Sequence, residues 1–81
     1  MNSKCDTTLN TVPVGVRARI CRINGGKEIA RRLMGLGLRV GSEINVLQHR
    51  GKGVVVANAG NRVALGGAIA GKLLMCPIIS D

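Results

Sequence analysis

The chain contains no Phe, Tyr or Trp. That absence removes the side chains that bury roughly 150–250 Å² each, so a core has to be assembled from Val, Ile, Leu, Ala and Met. It also removes the stacking platforms that supply single-strand nucleic-acid binders with roughly 1–3 kcal/mol per base, and the aromatic walls of a proline-rich peptide groove. Acids are almost as scarce. Only four are present; Asp6 and Asp81 stand at the ends, which leaves Glu28 and Glu43 isolated, and His49 is the single imidazole. No nucleophile, base and orienting acid can be drawn from that set, so no catalytic residues are assigned and His49 reads as a residue closing a strand end.

Three cysteines, Cys5, Cys21 and Cys76, lack the short C-x-x-C spacing of structural zinc or a redox dithiol. They are expected to be reduced thiols, with Cys21 and Cys76 acting as small apolar residues of strands. A metal held by Cys21, Cys76 and His49 would require the fold to gather them, and no metal or other cofactor is expected. No apolar run reaches the roughly 20 residues that cross a bilayer, and the polar start MNSKCDTT has no signal-peptide middle. A soluble, cytoplasmic protein without direct membrane insertion is the expectation.

What the chain does have is positive charge. Twelve Lys and Arg against four acids give a formal charge of +8. Seven of the twelve lie between Arg17 and Arg39, so one face is expected to be electropositive and attractive to nucleic acid, anionic lipid or an acidic protein surface, the alternative being a solvated face that aids solubility.

Eighty-one residues make one domain, which at this size buries only roughly 60% of the surface its unfolded chain exposes. Residues 1–8 are expected to be a flexible tail and residues 9–79 the domain. Leu9, Val12 and Pro13 lead into Gly15 as a short extended segment. Val16, Ala18 and Ile20 alternate with Arg17 and Arg19, the two-residue period of a strand with one solvated face. After Gly25-Gly26 the period becomes helical. Ile29, Leu33 and Leu36 recur at four and three residues with Ala30 and Met34 alongside, and Lys27, Glu28, Arg31 and Arg32 lie off that stripe. The helix is expected over residues 27–36, ending near Gly35 or Gly37.

Gly25-Gly26 precedes a helix as a phosphate loop does, but neither G-x-x-x-x-G-K-[ST] nor G-x-G-x-x-G is present, and a turn is the simpler reading. Gly41-Ser42 starts a second alternating run with Ile44 and Val46 inward. The uninterrupted residues 54–57, VVVA, suggest a strand with both faces covered. Turn-forming residues 58–61 should join it to residues 62–65 as a hairpin. Residues 66–71 read as one helical turn, and residues 72–76 as a last strand that Pro77 confines to an edge. Together these predict a mainly β protein: a small SH3-like barrel of about five strands, fully or nearly closed, with one inserted α-helix and a short helical turn before the last strand.

The order of residues resembles the FeoA family, small cytoplasmic SH3-like proteins associated with the ferrous iron transporter FeoB. The resemblance is carried by the spacing of Leu9, Val12 and Gly15, by RLMGLGL at 32–38 followed by GSEI at 41–44, by RVALG at 62–66 and by KLLM at 72–75. Val40 and Gly35 depart from it, since many relatives have proline and a polar or acidic residue there. The module also resembles the C-terminal domain of iron-dependent repressors. The resemblance implies a non-enzymatic adaptor for ferrous iron uptake whose partner is a FeoB-like membrane GTPase. The surface assigned to that partner is the helix, through Lys27, Arg31, Arg32, Met34 and Leu36, with Leu33 facing the core. The chain itself is expected to be a monomer or weak homo-oligomer. The competing expectation is a small basic nucleic-acid-binding barrel with Arg17, Arg19, Arg31, Arg32 and Arg39 as its phosphate track, although no nucleic acid is expected under the first.

Overall fold

The computed structural model describes residues 7–78. Six antiparallel strands form one sheet: β1 (Thr7–Thr8), β2 (Arg17–Ile23), β3 (Glu43–Arg50), β4 (Gly53–Asn58), β5 (Asn61–Leu65) and β6 (Leu73–Pro77), in the order β1-β6-β2-β3-β4-β5. Helix α1 (Gly26–Gly35) connects β2 to β3, and the single turn α2 (Gly67–Ala70) precedes β6. The alternation read in β2 and β3 holds. Ala18, Ile20, Ile44 and Val46 are buried, while Arg17, Arg19 and Glu43 are exposed on the other face. The core is entirely aliphatic, with Leu9, Ile20, Leu33, Leu38, Ile44, Leu73 and Met75 its largest fully buried side chains.

The sixth strand is β1. Its two residues belong to the expected tail, yet they pair with Met75 and Leu74 of β6; residues 1–6 of that tail and residues 79–81 lie outside the described residues. Pairing on that side makes β6 an inner strand rather than an edge. Pro77 is tolerated because β1 stops at Leu74 and Met75, so its missing N–H falls beyond the β1 ladder. The expected barrel closure is not reached, since β1 and β5 do not pair with each other. The segment from Leu9 to Thr11 is a 3₁₀ turn instead of extended chain, and it packs against β4, β6 and α2. With Leu9 and Val12 buried, that turn fills the seam where a closing ladder would run. Both sheet ends are blunted, one by its two-residue length and the other by exposed Asn61 and Arg62.

In β4 only Val54 and Val56 are buried, and Val55 and Ala57 are half-buried, so one face is covered and not two. The hairpin forms as expected. Asn58 faces Asn61 across a two-residue loop in which Ala59 and Gly60 both have positive φ, 51° and 87°. That is the conformation of a type I′ turn, whose first central position Asn adopts more readily than Ala. Ala59→Asn should therefore raise stability by about 0.5–1 kcal/mol. The midpoint of a urea titration reads this directly, and a lower midpoint would contradict the turn assignment.

Candidate functional site

Helix α1 begins one residue earlier than expected and ends at Gly35, with Leu36 as its C-cap. Its last turn is closed by two backbone bonds: the Leu38 amide donates to the Leu33 carbonyl (2.8 Å) and the Gly37 amide to the Met34 carbonyl (2.9 Å). With Gly37 at φ 85°, this is a Schellman motif, and buried Leu33 and Leu38 make its apolar contact. The segment that follows is tied down on both sides. The Asn58 side-chain amide donates to the Gly37 carbonyl (3.0 Å), the Gly41 amide donates to Ile20 of β2 (2.7 Å), and the Ser42 hydroxyl accepts from the Arg39 amide (3.0 Å).

One surface results. Lys27, Arg31 and Met34, spaced four and three residues apart, share an exposed stripe, and Met34 is 63% accessible although the apolar periodicity places it beside the core stripe. Leu33 is fully buried, as expected, and is the only buried residue of α1. Arg32 lies on the flank, lining a shallow groove with Glu28 and Ile29, and its charge in the last turn complements the free carbonyls there. Leu36 (43% accessible) extends the apolar part past the helix end. Arg39 joins it, lining a depression with Met34, Gly37 and Leu38, and Val40 next in the chain is 57% accessible. Helical spacing does not reach Arg39, which lies outside the helix. Gly37 was the available signal, since a left-handed C-cap folds the following residues back toward the helix end.

The other cationic cluster is differently disposed. Glu43 on β3 faces Arg17 and Arg19 on β2 and accepts from both guanidinium groups, at 3.4 and 3.0 Å. The hydrogen bond from Arg19 is the main cause that holds the Glu43 carboxyl below its ordinary value of 4.5. A carboxylate held ionised in this way is a poor proton acceptor, and it breaks the run of positive charge that a phosphate track would need along β2. Because the folded-state pKa is depressed, the pair stabilises the fold above about pH 4.5, and the contribution disappears as pH falls through the lowered value. Comparing thermal melts of the native chain and Glu43→Gln should thus show a difference at neutral pH that vanishes toward pH 3. A gap that widens on acidification would contradict the assignment.

His49 is held elsewhere. Its Nε2 donates to the Val12 carbonyl at 2.7 Å, which fastens β3 to the 3₁₀ turn, so His49 closes a strand end as expected. Cys21 and Cys76 do meet: they lie on neighbouring strands with their sulfur atoms 2.7 Å apart, and neither is a free thiol, contrary to the sequence expectation. Among the described residues no three His, Cys, Asp or Glu side chains come together. No helix among them is long and apolar enough to cross a membrane.

These features define a small SH3-like β module with an inserted, surface-exposed helix and a cationic, aliphatic-edged exterior. The FeoA domain model matches residues 7–75, and the chain belongs to the FeoA family, which is associated with ferrous iron transport. Among solved structures, the iron uptake regulatory protein FeoA is 26% identical with a TM-score of 0.82, the match covering 89% of this chain and 96% of that one. FeoA protein from Chlorobium tepidum is 25% identical with a TM-score of 0.82, covering 93% of this chain and 73% of that one. A manganese-dependent transcriptional repressor shares the fold at a TM-score of 0.82 and 22% identity, with the match covering 89% of this chain and 36% of the repressor. No curated protein matches the chain.

Proposed function

We propose that this chain is a non-enzymatic, cytoplasmic accessory protein of ferrous iron uptake that docks onto a FeoB-type membrane GTPase through the end of α1. The observation that carries the reading is the patch in which Met34 and Leu36 stand exposed with Lys27, Arg31, Arg32 and Arg39. Exposed aliphatics give such a contact its apolar centre and arginine is enriched at interfaces, so this composition suits docking onto an acidic protein surface better than catalysis. Membership in the FeoA family supports reading that partner as a FeoB-type transporter. The Schellman closure and the Asn58, Ser42 and Ile20 hydrogen bonds hold the patch in one conformation, which lowers the ordering cost of binding.

Calorimetric titration of the pure chain into a detergent-solubilised FeoB-type transporter tests the reading. Saturable binding that survives physiological salt is expected. Failure to bind, together with a steeply salt-dependent gel shift of mixed RNA or DNA, would replace it with nucleic-acid recognition.

A further inference from the structure

Independently of what the helix binds, the β2–β6 pairing carries a second chemical feature. Ile20 faces Met75 and Arg22 faces Leu74, so the register shifts at Cys21, which sits in a bulge. A regular antiparallel register would leave Cys21 one diagonal step from Cys76; the bulge re-aims it toward its neighbour on the same outer face. Arg19 sits directly opposite Cys76 in the ladder, with its guanidinium turned to Glu43 on the other neighbouring strand. Both cysteines are half-buried, within reach of a small reagent. The Cys21 sulfur lies 3.4 Å from the Leu74 carbonyl, an acceptor available to its S–H once the pair is reduced.

We propose that Cys21 and Cys76 form a reversible thiol–disulfide site, oxidised by low-molecular-weight disulfides and reduced by thiols, which staples β2 to β6. One protein thiolate attacks the small disulfide and expels one thiolate, giving a mixed disulfide. The second protein thiolate then attacks the protein-bound sulfur and expels the other. The two protons lost by the cysteines end on the two leaving thiolates, and two electrons pass from the protein pair to the small disulfide. In a reducing cytoplasm such a bond is transient and responsive, whereas a purely structural disulfide belongs to oxidising compartments. The bond links positions 55 residues apart, so closing it restricts the unfolded chain strongly.

The test uses the Cys5→Ser chain, because Cys5 lies outside the described residues and would confuse thiol counting. After equilibration with oxidised glutathione, then unfolding and N-ethylmaleimide treatment, the intact mass should show no adduct and the loss of two hydrogens. After dithiothreitol it should show two adducts, and the melting temperature should fall by about 10 °C or more. A further Cys76→Ser substitution should abolish the redox dependence of melting and leave Cys21 as a single maleimide or glutathione adduct. Two maleimide adducts or two glutathione adducts after the oxidised treatment, or a melting temperature indifferent to reduction, would overturn the proposal.

Discussion

Arg31→Glu combined with Arg32→Glu should weaken binding to a FeoB-type transporter by roughly tenfold to a hundredfold, about 1.4–2.8 kcal/mol. Both guanidinium groups are exposed, and neither forms an ion pair among the described residues, so nothing inside the fold depends on them for charge balance. The folded state pays a little. Glutamate at 32 would stand one turn from Glu28 and beside the helix's free carbonyls, which together cost on the order of 1 kcal/mol or less. The variant therefore stays folded, and a melting curve taken alongside the titration shows it. Net charge falls by four in this variant, so a control with the same change is needed. Arg50→Glu with Lys52→Glu, at the far end of the β3–β4 hairpin from the Asn58 contact with Gly37, should leave affinity within twofold. Equal losses in the two double variants would mean that general charge governs association, and would dismiss the α1 surface.

Leu33→Ala should cost about 2–5 kcal/mol of unfolding free energy, measured as a lower midpoint in urea. Leu33 is fully buried, is the only buried residue of α1, and its carbonyl and side chain both belong to the Schellman closure with Leu38. Truncation leaves a void under the helix with no aromatic neighbour available to collapse into it, in a domain whose total stability is small for its size. Met34→Ala, one residue further along, removes a side chain of similar size from an exposed position and should change stability by no more than about 0.5 kcal/mol. The pair separates the anchor of the helix from its outward surface. Similar costs at the two positions would contradict the orientation of α1.

Much of this architecture is written in local periodicity. The alternation through Ala18 and Ile20, the switch to helical spacing at Ile29 and Leu33, and the turn residues between Val56 and Val63 each report on their own neighbourhood, and those elements appear where they are expected. What was illegible depends on partners distant in sequence. That β6 is an inner strand follows from Thr7 and Thr8 pairing with Met75 and Leu74, residues nearly the whole chain apart. Leu9 buries itself by a 3₁₀ turn because it plugs an open seam, a requirement that no nearby residue announces. The encounter of Cys21 with Cys76 needs both the β2–β6 register and a bulge within it, and spacing along the chain encodes neither. The cationic surface shows the same division. Helical geometry groups Lys27, Arg31 and Met34, whereas Arg39 reaches the patch only through the Gly37 cap, and Arg17 and Arg19 turn out to be engaged by Glu43.

The most direct measurement is an amide chemical-shift map of the ¹⁵N-labelled chain during titration with the unlabelled FeoB-type transporter's cytoplasmic domain, or with the whole transporter if that domain alone does not bind. Shifts and line broadening concentrated in α1 and residues 36–40, with the β3–β4 hairpin end unaffected, are the result that docking through the helix predicts. Perturbations centred on β2 and β5, or none at saturating partner, would contradict it.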